Sequence, residues 1–171
     1  MSTKKIITYP DPALRKKSEP VEKVDKEIKQ LIEDMAETMY ASRGIGLAAI
    51  QIGVLKRVIL VNVGEGLVLL VNPEILEDEG ETQMEEGCLC LPGVMLEVKR
   101  SEKVKVKGLN RKGEEIIIHA EGLLARALQH EIDHLKGVLI IDKISKIKRE
   151  LVTSKLKKEA KERVAAEKSK V

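Results

Sequence analysis

Leu124-Ala125-Arg126-Ala127-Leu128-Gln129-His130-Glu131-Ile132-Asp133-His134-Leu135-Lys136-Gly137 carries both the helical period and the chemistry that decide the fold of this 171-residue chain. Leu124, Leu128, Ile132 and Leu135 recur at three- and four-residue intervals. The spacing predicts a helix over 121–136, with Gly137 where a left-handed glycine ends one. Apolar residues also fall on most other faces, as a helix buried on several sides requires. His130 and His134, four apart, project from one face. This is the H-E-x-x-H pattern, in which two imidazoles can share one metal ion with Glu131 beside it. Taken alone, the pentapeptide fits a solvated helix face equally well.

Upstream, Ile28, Leu31, Ile32, Met35 and Met39 form a second helical stripe over 25–42, opened by Asp25 as N-cap and stopped near Gly44. Between the helices, β-branched runs at 58–63, 67–72, 94–98, 103–109 and 114–119 are separated by Gly64-Glu65-Gly66, Asn72-Pro73 and 110–113. They predict antiparallel strands joined by turns. A last helix is expected from about Ser145. Helix, strands, helix, helix is the order of an α+β domain, with antiparallel sheets around a central helix and a C-terminal helix. We expect one catalytic domain over 1–150 and a basic helical extension over 151–171.

At 19.0 kDa the chain has room for one core and should bury about two-thirds of its unfolded surface without help from disulfides. Its 31 Lys and Arg nearly balance 28 Asp and Glu, which argues against specific DNA binding by overall charge. With no Trp or Phe and only Tyr9 and Tyr40, base-stacking platforms are missing too. The longest apolar run near the amino terminus is two residues and no stretch could span a bilayer, so a cytoplasmic location is expected, with no membrane partner. Cys88 and Cys90 are too close for an easy disulfide.

An open catalytic metal site takes three protein ligands and keeps one position for water. Glu150, Glu159 and Glu162 lie where a thermolysin-like peptidase would place its carboxylate, but in a Lys-rich helical stretch. Cys88 is the better candidate. It offers a thiolate within Glu86-Gly87-Cys88-Leu89-Cys90-Leu91-Pro92-Gly93, where Gly87 lets backbone approach closely. The alternative is a buried, inert cysteine. Gly44, Gly46 and Ala49 match a dinucleotide fingerprint, but that fingerprint must follow a strand and open a helix, and here the order is reversed. Gln51 could donate an amide to an oxyanion, or simply lie at the surface.

Gly44-Ile45-Gly46-Leu47-Ala48-Ala49-Ile50-Gln51, Glu86-Gly87-Cys88-Leu89 and Gln129-His130-Glu131-Ile132-Asp133-His134 resemble, in that order, the three motifs of the peptide deformylases. The likeness extends over about 4–150, including Tyr9-Pro10-Asp11-Pro12 and Gly137-Val138-Leu139. It implies removal of the formyl group from N-terminal formyl-methionine of new polypeptides, releasing formate. It further implies one divalent ion on Cys88, His130 and His134: Fe2+ in the cell, with Zn2+ or Ni2+ as alternatives. By the same resemblance, Glu131 is the proton carrier and Gln51 and the Leu89 N–H are oxyanion donors. Ile45, Gly46, Gly87, Leu123, Arg126 and Ala127 line the substrate site, and Asp133 is held by Arg100.

Four features depart from the family or extend beyond its core. Cys90 replaces the usual Ser and is expected to be a small buried residue. The 94–96 stretch lacks a basic residue used by some relatives to hold the peptide. Arg126 stands where the methionine pocket is otherwise apolar, and is expected to snorkel outward. From Lys143 onward eleven basic residues face four acidic ones, a net of +7, leaving −4 of the overall +3 to the preceding part. Such a helix is either a solvated face or a ribosome-docking element acting through phosphate contacts. The competing readings are another metalloamidase with a downstream carboxylate ligand, and a binding protein with a structural metal closed by Cys90.

Overall fold

The structure is a computed structural model that describes residues 3–169; Lys170, counted above in the basic stretch, lies outside the described residues. The chain forms α1 (Lys26–Ala41), β1 (Gly46–Ala48), β2 (Val58–Val61), β3 (Val68–Glu79), β4 (Thr82–Cys88), β5 (Leu91–Arg100), β6 (Lys103–Leu109), β7 (Glu115–Glu121), α2 (Gly122–Leu135) and α3 (Lys146–Ser169). The fold is α+β, with a five-stranded antiparallel sheet ordered β1-β2-β3-β6-β7 and a separate β4–β5 hairpin.

The large sheet is covered on both faces. Side chains alternate along a strand, and β2 is buried throughout because both of its sides meet a helix. Val58 and Leu60 pack with Ile28, Ile32, Met35 and Met39 of α1. Ile59 and Val61 pack with Ala125, Leu128, Ile132 and Leu135 of α2. Asp25 caps α1 through its side-chain oxygen, 3.0 Å from the Ile28 N–H, satisfying a donor that the first turn leaves open.

The opposite face of α2 meets the β4–β5 hairpin. Behind the hairpin a third cluster joins Leu91 and Val98 to Leu14, Leu139, Ile140, Ile141 and Leu156 of α3. Thus α2 lies between two layers, which explains why ten of its fourteen residues are buried. It ends at Gly137, whose φ of +76° is a left-handed conformation that favours glycine.

Two strand expectations need correction. Asn72-Pro73 is not a turn: β3 continues through it to Glu79, with a shift of register between Val71 and Glu74. Asn72 has a φ of +53° there, and its amide both accepts from the Val21 N–H and donates to the Val21 carbonyl, each at 2.8 Å. Thr82–Cys88, which shows no alternating pattern, is nevertheless a strand paired with β5.

Candidate metal centre

Position 88 ends β4, Leu89 and Cys90 make the hairpin turn, and positions 130 and 134 lie one turn apart on the hairpin-facing side of α2. This brings Cys88 Sγ and the Nε2 atoms of His130 and His134 together. His134 Nε2 is 3.3 Å from Cys88 Sγ and 3.3 Å from His130 Nε2, and one donor atom from each residue lies within 4.8 Å of the others. Two tetrahedral ligand atoms at metal bonds of about 2.0–2.3 Å are separated by about 3.3–3.7 Å, so the trio fits a metal ion. Among the described residues Cys90 lies outside this donor group, although its sulfur is 3.1 Å from that of Cys88; it is wholly buried in the hairpin core.

Glu86, to which the sequence reading gave no role, organises the site. Its Oε1 is 2.8 Å from His130 Nδ1 and accepts from Arg100 Nη2 at 2.9 Å. Its Oε2 accepts from Arg100 Nε at 2.9 Å and from Arg126 Nη1 at 2.5 Å. Burial pushes this carboxyl up, but the hydrogen bonds and charges of His130 and Arg100 outweigh that and hold it down at about 2. An ionised carboxylate only accepts, so Nδ1 of His130 carries the proton and Nε2 keeps a lone pair for a metal. The sequence carries no signal for this role beyond the place of Glu86 two residues before Cys88, because its arginine partners meet it only through packing.

Arg100 also donates through Nη1 to Asp133 Oδ2 at 2.5 Å, as expected, and Lys143 Nζ stands 3.6 Å from the same oxygen. Arg126 corrects its expectation. Its side chain is 4% exposed and the guanidinium turns inward to Glu86, Val98 and Thr82 rather than out to solvent.

Glu131 is buried, and its Oε1 has no hydrogen-bond partner among the described residues. Burial pushes its carboxyl up to about 7, against the pull of the His130 and Arg100 charges. A Cβ on Gly46 would run into this carboxylate, so glycine leaves the room that Glu131 occupies. Gln51 is buried, not at the surface; its Oε1 accepts from the Ala48 N–H at 2.9 Å and its Nε2 points at Cys88 Sγ, 3.6 Å away. Contact with Cys90 and burial push the Cys88 thiol up to about 11, while His134 and His130 pull it down; a cation held beside the sulfur would favour the thiolate.

These groups floor a cleft of about 540 Å³ lined also by Ile45, Gly87, Leu89, Leu91, Met95, Leu123, Arg126 and Ala127. Ile45, Met95 and Leu123 are each about half exposed at its mouth. The expected substrate residues Ile45, Gly46, Gly87, Leu123, Arg126 and Ala127 therefore share one cleft with Cys88, His130 and Glu131.

An α+β domain with a Cys/His/His donor set and, on H-E-x-x-H, a buried glutamate whose Oε1 has no hydrogen-bond partner among the described residues has the architecture of a metallohydrolase. The polypeptide deformylase family matches residues 3–150, and the chain belongs to that family. It is 54% identical to the peptide deformylase of Thermodesulfovibrio yellowstonii over 162 residues, covering 92% of this chain and 98% of that one. With the peptide deformylase of Carboxydothermus hydrogenoformans the identity is 56%, over 87% of this chain and 98% of the relative. The fold is similar to that of peptide deformylase from Ehrlichia chaffeensis in complex with actinonin, with a TM-score of 0.90 and 43% identity over 93% and 98% of the two chains. The activity is that of a metal-dependent hydrolase removing the formyl group from N-terminal methionine.

Proposed function

We propose that this deformylation is carried out by Cys88, His130 and His134 as metal ligands, Glu131 as proton carrier, and Gln51 and the Leu89 N–H as oxyanion donors. The observation that carries this reading is the donor trio beside a buried Glu131 oxygen that has no hydrogen-bond partner among the described residues. A divalent ion held there supplies a Lewis acid that polarises the formyl oxygen and acidifies water. Glu131 takes the proton from the attacking water and gives it to the leaving amine; its burial favours holding the proton between the two transfers. The Gln51 amide, fixed by its bond from Ala48, stabilises the developing negative charge. Ile45, Gly46, Leu123 and Ala127 receive the methionine side chain, and Gly87 lets the peptide backbone pair alongside β4.

A thiolate with two imidazoles suits Fe2+, Zn2+ and Ni2+ alike; our reading is Fe2+ in the cell, with Zn2+ or Ni2+ as substitutes. The test is formate release from formyl-Met-Ala-Ser by protein loaded anaerobically with Fe2+. Wild type should be active and Cys88→Ala and Glu131→Ala inactive; a folded, loaded and inactive wild type would overturn the assignment.

The protein is proposed to work in the cytoplasm on N-formylated nascent peptides, with the 151–171 extension as a basic ribosome-docking element. Among the described residues no helix is long and apolar enough to cross a membrane. Lys157, Lys158 and Lys161 are exposed on α3, whereas Leu156 is buried. Replacing those three lysines by Gln keeps the packing and should weaken ribosome binding and flatten its salt dependence; unchanged affinity would leave α3 a solvated helix.

A further inference from the structure

Arg126 stands apart from the proposed chemistry and yet makes four hydrogen bonds inside the site. Nη1 donates to Glu86 Oε2 at 2.5 Å and to the Val98 carbonyl at 2.8 Å; Nη2 donates to the Thr82 carbonyl and to Thr82 Oγ1, both at 3.0 Å. Thr82 belongs to β4 and Val98 to β5, so one guanidinium on α2 ties down both strands of the hairpin. The same residue lines the cleft beside Leu123, Ala127 and His130. Its charge is committed inward, so what it offers the cleft is its aliphatic stem.

The hairpin and the helix must hold a fixed separation because the ligand trio is divided between them. Cys88 rides on β4; His130 and His134 ride on α2. Arg100 alone already holds Glu86 through two parallel bonds of 2.9 Å, which fixes the carboxylate and hence the His130 ring. What Arg126 adds is a direct cross-tie from the helix, one turn before His130, to the backbone of the strands that carry Cys88. A guanidinium suits this task because its planar fork reaches four acceptor atoms on three residues at once, whereas an ammonium is a single point.

We propose that Arg126 is a positioning residue: it sets the separation of Cys88 from His130 and His134 through the hairpin, while its stem walls the methionine pocket. This rests on the reading of those three residues as ligands. A pure pocket wall would affect substrate binding alone. A positioning residue must alter the geometry of the metal.

The test is Arg126→Met and Arg126→Lys in full-length protein loaded with Co2+, following the visible absorption bands, the rate of Co2+ release to a chelator, and kcat and KM with formyl-Met-Ala-Ser. In Arg126→Met the bands should shift and Co2+ should leave about 10–100-fold faster, as losses around ligands generally produce. Because the Met side chain still fills the wall, kcat should fall while KM stays within about threefold. Arg126→Lys should lie between Met and wild type, and it carries the test if Arg126→Met does not fold. Wild-type bands and release rates in a folded variant, with only KM changed, would overturn the proposal. Failure of the ligand reading looks different: Cys88→Ala would then leave the bands of the loaded protein unaltered.

Discussion

The two faces of the large sheet are covered by helices of similar length, yet they are held in opposite ways. On the α1 side Ile28, Ile32, Met35 and Met39 meet Leu47, Val58, Leu60 and Val71, an apolar layer whose strength comes from area removed from water. On the α2 side the helix has one apolar face against the sheet and one charged face against the hairpin, where Glu86, Arg100, Arg126, Asp133 and His130 are all held in place by hydrogen bonds. Buried charges are costly to desolvate and add little stability over a well-packed apolar core, but they fix directions that apolar contact cannot. The α1 layer keeps the sheet folded, and the α2 layer keeps donor atoms aimed.

Substitutions can separate the two. The largest effect is expected from Glu131→Gln, which should lower kcat/KM for formate release by about 10³-fold with an unchanged melting curve; near-normal turnover would remove Glu131 from its role. Next come Arg100→Met and Met35→Ala, which should each destabilise by about 3 kcal/mol in urea titrations for different reasons, the loss of the guanidinium shared by Glu86 and Asp133 in the first and a cavity in the second. Only Arg100→Met should also speed metal release, and equal effects on release would erase the distinction between layers.

A smaller effect concerns the Arg15–Asp142 pair. Partial burial pushes the Asp142 carboxyl up, but the Arg15 hydrogen bond, the Leu139 N–H and the charges of Arg15 and Arg149 outweigh it and hold it below its ordinary 3.8. A depressed carboxyl contributes stability above its unfolded value and loses it as the pH falls through the folded one. Asp142→Asn should therefore be less stable than wild type by about 1 kcal/mol at pH 7, with solvent screening at Arg15 keeping the figure modest. The two should converge below the Asp142 value; a difference independent of pH would exclude the ionised pair as its source. Smallest of all, Leu151→Ala on the exposed part of α3 should shift stability by less than about 0.5 kcal/mol.

What could be read in the sequence follows the same division. Local periods gave α1 and α2 to within a residue or two and β6 at its observed bounds, because a helix stripe or an alternating strand is encoded by near neighbours. The strand Thr82–Cys88 escaped because most of its residues are exposed, so Gln83, Met84 and Glu85 show no alternation. Pro73 marked a turn by its type, but a register shift let the strand absorb it. In the site, the histidine pair was legible from its spacing. The roles of Glu86 and Arg126 were not, since they depend on partners 14 and 40 residues away that only the packing brings together.

The division of donors between hairpin and helix also bears on how the protein comes apart. Cys88 belongs to a unit anchored on Leu14, Leu139 and Leu156, whereas His130 and His134 belong to one anchored on the sheet. Local opening at the seam between them has to break the polar ties and the packing of Leu89, and it would carry the sulfur away while both imidazoles stay in register on an intact helix. Amide exchange along Thr82–Arg100 should then outpace exchange in β2, so the molecule has a way to lose its centre by peeling before it loses its fold by melting.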